Sequence, residues 1–162
     1  MQTKIYRGYL DYDDIDEFLE DKDQLEGVVQ AFDPRFVAST DHLRSAAEKA
    51  VRSTNRGENV AESIDMEILL YAAGTRQIDD ALEIAVSPPC EAVMTVTAEP
   101  GETACREVES VLEDAREIEE HSGNWSDIVR YFDIPEEEIG SVGSHKLETL
   151  VLERVALLDI DK

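Results

Sequence analysis

Apolar positions along this chain follow several local patterns, and the changes between them mark out its elements. Residues 3–10, rich in Tyr and Ile, predict a first strand. Residues 14–26 predict a short acidic helix ended by Gly27, and Val28 to Phe32 a second strand. Asp33-Pro34 signals a turn, with a further short strand expected at Phe36-Val37-Ala38. Ser39, Thr40 and Asp41 offer three N-caps for the next helix. In it Leu43, Ala46, Ala47, Ala50 and Val51 recur at i, i+3, i+4, i+7 and i+8, the spacing of one buried stripe, up to a stop at Gly57.

Asn59 with Glu62 resembles a capping box opening a segment that runs to Ala73, with Gly74 as its C-cap. Ile78, Ala81, Leu82 and Ala85 place a helix over 76–86, which Pro88-Pro89 stops. Residues 91–97 read as a strand: Ala92, Met94 and Val96 alternate with Glu91, Thr95 and Thr97, and Val93 breaks the pattern. After a turn at Glu99-Pro100-Gly101, the spacing of Val108, Val111, Leu112, Ala115 and Ile118 predicts one long helix over 102–120. A short helix follows around Trp125, Ile128 and Phe132, then breaks at Pro135 and from Gly140 to Ser144, and a last helix over 145–158 that is apolar almost all round. Strands and helices mix without a strict β-α-β rhythm. The expected fold is therefore mixed α/β: a small, largely antiparallel sheet packed with helices in a single domain of 162 residues.

Charge changes this picture. The chain has 38 acidic and 15 basic residues, and only five of the basic ones are Lys. Abundant carboxylates with scarce Lys suit molar salt, where a Debye length of about 3 Å screens their repulsion. The acids are spread among periodic apolar residues, which argues for a folded chain rather than an acidic disordered one. No run approaches the ~20 apolar residues of a membrane span. The first residues lack the apolar stretch of a signal peptide, so the expected location is the cytoplasm.

Candidate chemistry is sparse. His42, His121 and His145 fall in no ligand spacing, and no metal or cofactor is expected. Cys90 and Cys105 match no Cys-x-x-Cys motif and read as buried structural thiols. Gly140 to Lys146 departs from a phosphate-binding loop in both glycine spacing and the residue after Lys146, and reads as a loop before a helix. Carboxylates are so numerous that no pair stands out. A small carboxylate-dependent hydrolase is the rival from another class, and it would show turnover by the isolated chain.

One stretch departs from the background. Residues 41–57 hold Arg44, Lys49, Arg52 and Arg56 against Asp41 and Glu48, a balance of +2, while the rest of the chain sums to −25. Lys49, Arg52 and Arg56 share one helix face opposite the apolar stripe, and Arg44 flanks it. Such a face fits phosphate contacts, or a solvated face of salt bridges. The last helix (Leu147, Leu150, Val151, Leu152, Val155, Ala156, Leu157, Leu158) and residues 66–73 are apolar enough to be either core or partner-binding surface.

Two motifs carry a resemblance. Residues 41–60 enter a helix on His42-Leu43 and leave it on Arg52-Ser-Thr-Asn-Arg56-Gly57; then comes Glu67-Ile-Leu-Leu-Tyr-Ala-Ala-Gly-Thr-Arg-Gln-Ile78 with Ala81-Leu82. This combination resembles the PRPK-binding (CGI-type) accessory subunit of the KEOPS, or EKC, complex. It covers about 40 residues, and the ends, roughly 1–35 and 100–162, carry no matching motif. The resemblance implies a mixed α/β domain without catalytic activity. Such a subunit binds and stimulates the kinase-like ATPase of KEOPS and helps recruit tRNA, with the 3′ CCA end as a contact. The complex adds a threonylcarbamoyl group to the adenosine beside the anticodon, and ATP, metal and activated intermediate belong to its other subunits. Joined to the helical geometry, this makes Arg44, Lys49, Arg52 and Arg56, with Arg76, the candidate tRNA contacts. Ile68, Leu69, Tyr71, Leu150 and Leu157 become candidate contacts to the kinase. A pure kinase adaptor that never touches nucleic acid is the alternative, which the −25 balance outside the stripe favours.

Overall fold

Four antiparallel strands form an open sheet in the order β2-β3-β1-β4. The structure, a computed structural model, describes residues 1–99, 107–140 and 144–161. Strand β1 (Gln2–Leu10) pairs along its full length with β3 (Cys90–Ala98), from Gln2 opposite Ala98 to Leu10 opposite Cys90. Strand β2 (Val28–Phe32) lies on the far side of β3, and β4 (Glu113–Glu117) on the far side of β1. The helices among the described residues are α1 (Ile15–Asp23), α2 (Thr40–Asn55), α3 (Ile64–Ala73), α4 (Ile78–Ala81), α5 (Trp125–Tyr131), α6 (Glu136–Ile139) and α7 (Ser144–Asp161).

Both faces of the sheet are covered. Ile5, Phe32 and Val93 face a core built with α2, α3 and the end of α7. Tyr6, Leu10, Val29, Ala31, Ala92, Met94 and Val96 face a second core with Phe18 of α1 and Val108, Val111 and Leu112. This explains why β3 lacks a clean polar face: Val93 points into the first core while its neighbours point into the second. Thr95 and Thr97 are buried, and their hydroxyls are spent on Gln30 O (3.4 Å) and Thr3 Oγ1 (2.9 Å). A third cluster joins Ile128, Phe132, Ile134 and Ile139 to Leu147, Leu150 and Val151 of α7.

The antiparallel sheet, β1, β2, β3, α2, α5 and α7 agree with the sequence reading. Four local expectations do not. Residues 113–117 form edge strand β4 rather than the middle of a helix, and 102–106 lie outside the described residues. The helix-like spacing there is overridden by the open edge of β1, where Gly8 lets the β4 chain approach closely: a Cβ added at Gly8 would lie 2.5 Å from Glu113 O. The acids along β4 keep this edge from recruiting another strand. Phe36-Val37-Ala38 is not a strand; Pro34–Phe36 is a single 3-10 turn, started by the Asp33 side chain accepting Arg35 N–H. The 76–86 helix is two short pieces, α4 and a 3-10 turn at Leu82–Ile84, of which only Ala81 and Ile84 are buried.

The capping box at Asn59 does not form either. Asn59 Nδ2 donates to Ala61 O, and α3 begins at Ile64. Instead Glu67, one turn inside α3, turns its carboxylate back to accept Val60 N–H (3.1 Å) and Ala61 N–H (2.8 Å). The reciprocal bond of a capping box is thus replaced by one from within the helix. Cys90 is half-buried rather than buried, with burial pushing its thiol up, and Cys105 lies outside the described residues. The same is true of Pro100, Gly101 and residues 141–143, so the expected turn and loop there are not described in full.

Candidate partner-binding and nucleic-acid surfaces

Helix α2 begins where Ser39, one of the three candidate caps, accepts His42 N–H at 3.1 Å. One turn in, His42 is fully buried and binds on both ring nitrogens: Ala38 N–H donates to Nδ1 (3.1 Å), and Nε2 donates to Ala72 O (2.8 Å). The ring is therefore a neutral staple between the α2 entry and the C-terminal end of α3. Burial holds its pKa at about 4, although the bond to Ala72 opposes this.

The motif along α3 is spent in the same structural way. Glu67 also accepts from Ser53 Oγ (3.4 Å) of α2, and the Tyr71 hydroxyl donates to Asp159 of α7. Gly74 caps α3 in the left-handed conformation (φ 67°), with its amide returning to Leu70 and Tyr71 carbonyls. A Cβ there would lie 3.4 Å from Arg154 Cβ. The run Ile68 to Ala73 is the centre of the first core.

These burials correct the expected kinase contacts. Ile68, Leu69, Tyr71 and Leu150 are core residues; of the five, only Leu157 reaches solvent, at 51% exposure. It shares the outer face of α7 with Ile160, 76% exposed. Arg154, which projects among apolar positions, binds Phe132 O (3.1 Å), Leu150 O (3.2 Å) and Glu138 (3.5 Å).

The basic face of α2 divides in two. Arg44 is committed to Thr40 Oγ1 (3.2 Å), Glu119 (3.5 Å) and Asp41 (3.8 Å). Lys49 pairs with Asp159 at 3.6 Å. Arg52 and Arg56 are exposed, and no carboxylate among the described residues forms an ion pair with them. Arg76 lies past the end of α3, partly buried, with Nη2 enclosed and without a hydrogen-bond partner. Two free guanidinium groups on a chain of net charge −23 are thus the part of the stripe available to an anion.

A second surface feature is an open cleft of about 850 Å³, walled by α1, the 3-10 turn after α4 and the start of β3. Ile15, Pro34, Leu82, Ala85 and Val86 supply its apolar lining. Its two cations are already paired: Arg35 with Asp33 at 2.8 Å, and Arg7 with Glu91 at 3.9 Å and His121 Nδ1 at 3.3 Å. Burial, with Arg7 adding to it, holds His121 below the ordinary imidazole range. The α1 wall is fixed by Lys22, whose buried ammonium reaches Asp65 Oδ2 (2.7 Å) and Val29 O (3.0 Å). Burial alone would raise the Asp65 carboxyl; hydrogen bonds from Lys22, Ser63 and the Met66 amide, with the charge of Lys22, together outweigh it and hold it low. The sequence reading missed this cleft. Its only signal was Ile15 and Leu19 within an otherwise acidic helix.

Among the described residues no group of His, Cys, Asp or Glu is arranged to hold a metal ion, and no helix is long and apolar enough to cross a membrane. A search of curated proteins finds no match. The family described as Kinase binding protein CGI-121 matches residues 12–159, nearly the whole chain and well beyond the two motifs. The chain therefore belongs to the CGI-121 family of kinase-binding proteins.

Proposed function

We propose that this chain is the non-catalytic regulatory subunit of a cytoplasmic KEOPS complex. In this reading it binds and activates the kinase-like ATPase subunit and helps recruit tRNA, through its 3′ CCA end, for threonylcarbamoylation beside the anticodon. Family membership supports the kinase-binding part. The observation that carries the tRNA part is the pair of unpaired arginines, Arg52 and Arg56, on a surface otherwise dominated by carboxylates.

Arg52, in the last turn of α2, and Arg56, at its C-cap, stand one turn apart and can reach neighbouring phosphates with forked hydrogen bonds, which survive salt better than diffuse attraction. Arg44 and Lys49 are already neutralised by carboxylates, and Arg76 has one free nitrogen but little exposure; these play supporting roles. The test is tRNA binding by the chain and its kinase-like partner, titrated with KCl. Charge reversal at Arg52 and Arg56 should lower affinity and reduce the slope of log K against log salt by about 1–2. Reversal at Arg44 and Lys49 should do less. Intact tRNA binding after reversal of Arg52 and Arg56 would sink the tRNA part. That result would leave the second reading, a pure kinase adaptor, which the −25 balance outside the stripe favours.

A further inference from the structure

Three cations share one arc of α2. Lys49, Arg52 and Arg56 fall within about 60° around the helix axis, on successive turns. Arg52 and Arg56 are exposed and enter no ion pair among the described residues; Lys49, with a side chain 20% exposed, does. Its Nζ lies 3.6 Å from Asp159 Oδ2 in the last turn of α7. That distance is an ion pair and not a hydrogen bond, and the Lys49 ammonium donates no hydrogen bond to a described residue. Arg44 is placed differently. It lies about 140° from Lys49 around the axis and is held by Thr40 Oγ1 as well as by two carboxylates.

In the Lys49–Asp159 pair the carboxylate is better fixed than the ammonium. Asp159 Oδ1 accepts the hydroxyl of Tyr71, a fully buried residue of α3. Asp159 therefore stays with the core, whereas Lys49 ends a flexible four-carbon stem beside two exposed guanidinium groups. The Asp159 side chain is 40% exposed, so water reaches the pair, and partly exposed pairs are weak. A phosphate gripped by Arg52 and Arg56 brings its charge within one helical turn of Lys49 and draws the ammonium away from Asp159.

We propose that Asp159 is an internal competitor for the anion site on α2. With no anion bound it holds Lys49 aside. When phosphate binds, Lys49 exchanges the carboxylate for it and completes a site of three cations. The inference rests on the tRNA-binding reading above and adds a third cation to that site, with the contact that restrains it. If the pair served only to clip the end of α7 to α2, removing the Asp159 charge would do no more than relieve general repulsion, as loss of any nearby carboxylate does.

The experiment is a double-mutant cycle in tRNA affinity, measured on the full chain with its kinase-like partner in excess, at fixed KCl. Wild type, Asp159→Asn, Lys49→Met and Asp159→Asn/Lys49→Met are compared. Asn keeps an oxygen for the Tyr71 hydroxyl, so unchanged thermal unfolding is expected and serves as the folding control. Asp159→Ser stands in if the Asn variant fails to fold. Asp159→Asn should tighten tRNA binding about two- to fivefold, the worth of a partly exposed ion pair. Most of that gain should vanish in the Lys49→Met background, where only the relief of general repulsion is left. Lys49→Met alone should weaken binding, by less than reversal of Arg52 and Arg56 does. No loss from Lys49→Met, no gain from Asp159→Asn, or the same gain with and without Lys49, overturns the proposal and leaves the tRNA reading intact. Binding that ignores reversal of Arg52 and Arg56 overturns that reading, and this proposal with it.

Discussion

Mild acid should weaken this fold through His42. The ring is fully buried and neutral, accepting from Ala38 and donating to Ala72, so protonation breaks the Ala38 bond and places a charge in the core. Its pKa falls from 6.5 in the unfolded chain to about 4 in the fold. Between these values the unfolded state holds the extra proton, so stability is complete above the unfolded value and is lost as pH falls. Going from about pH 7 to about pH 5 crosses most of that window and removes about 2 kcal/mol. Carboxylates and His121 titrate over overlapping ranges, so the effect is read as a difference. Urea unfolding of wild type and His42→Gln at both pH values is the assay. Gln cannot be protonated here and keeps one donor and one acceptor. The variant should be less stable near pH 7, and the gap should narrow by about 2 kcal/mol near pH 5. A gap that stays constant would refute a buried neutral imidazole and the staple it forms.

Glu67→Ala leaves the Val60 and Ala61 amides without the acceptor they share, so it should cost about 2–4 kcal/mol in urea unfolding. Hydrogen exchange should quicken at Val60 and Ala61 well before the core opens. Gly8→Ala places a methyl 2.5 Å from Glu113 O and 2.7 Å from Leu112 Cγ, so it should push β4 from β1 and cost about 1–3 kcal/mol. Loss of slow exchange confined to Glu113–Glu117 would show where the strain goes. Lys22→Met removes the cation that holds Asp65 low and binds Val29 O. It should destabilise by about 2–4 kcal/mol, most of which Lys22→Met/Asp65→Leu recovers, because the unpaired carboxylate is the main cost. Stability measured against KCl concentration should rise toward molar salt as carboxylate repulsion is screened, and a flat curve would argue against salt adaptation.

What the sequence made legible follows from period and punctuation. The strip Leu43, Ala46, Ala47, Ala50 could face only one way, and Ser39 and Gly74 mark helix ends by their own chemistry. The pieces that were not legible were decided by neighbours distant in sequence. Glu113–Glu117 has a helical apolar period up to its edge, and becomes a strand because Gly8 leaves room beside β1. Residues 66–73 are apolar on all sides. Only the positions of α2, α7 and β2 show that this means complete burial and not a docking face.

The same limit governed the candidate surfaces. Four basic residues on α2 look alike in sequence. Asp159 and Glu119, more than 70 positions away, take Lys49 and Arg44 out of play and leave Arg52 and Arg56. Ile15, Leu19, Ile78 and Leu82 occupy helix-forming segments where apolar residues ordinarily turn inward. The exposure of Ile78 and Leu82 appears only once the 76–86 segment is seen to break into two short turns.

The most direct measurement is size-exclusion chromatography of the chain mixed with the kinase-like KEOPS subunit of the same genome, in molar KCl. Co-elution as a stoichiometric pair is the expected result for a member of a kinase-binding family. Clean separation of two folded proteins would contradict a KEOPS role for this chain.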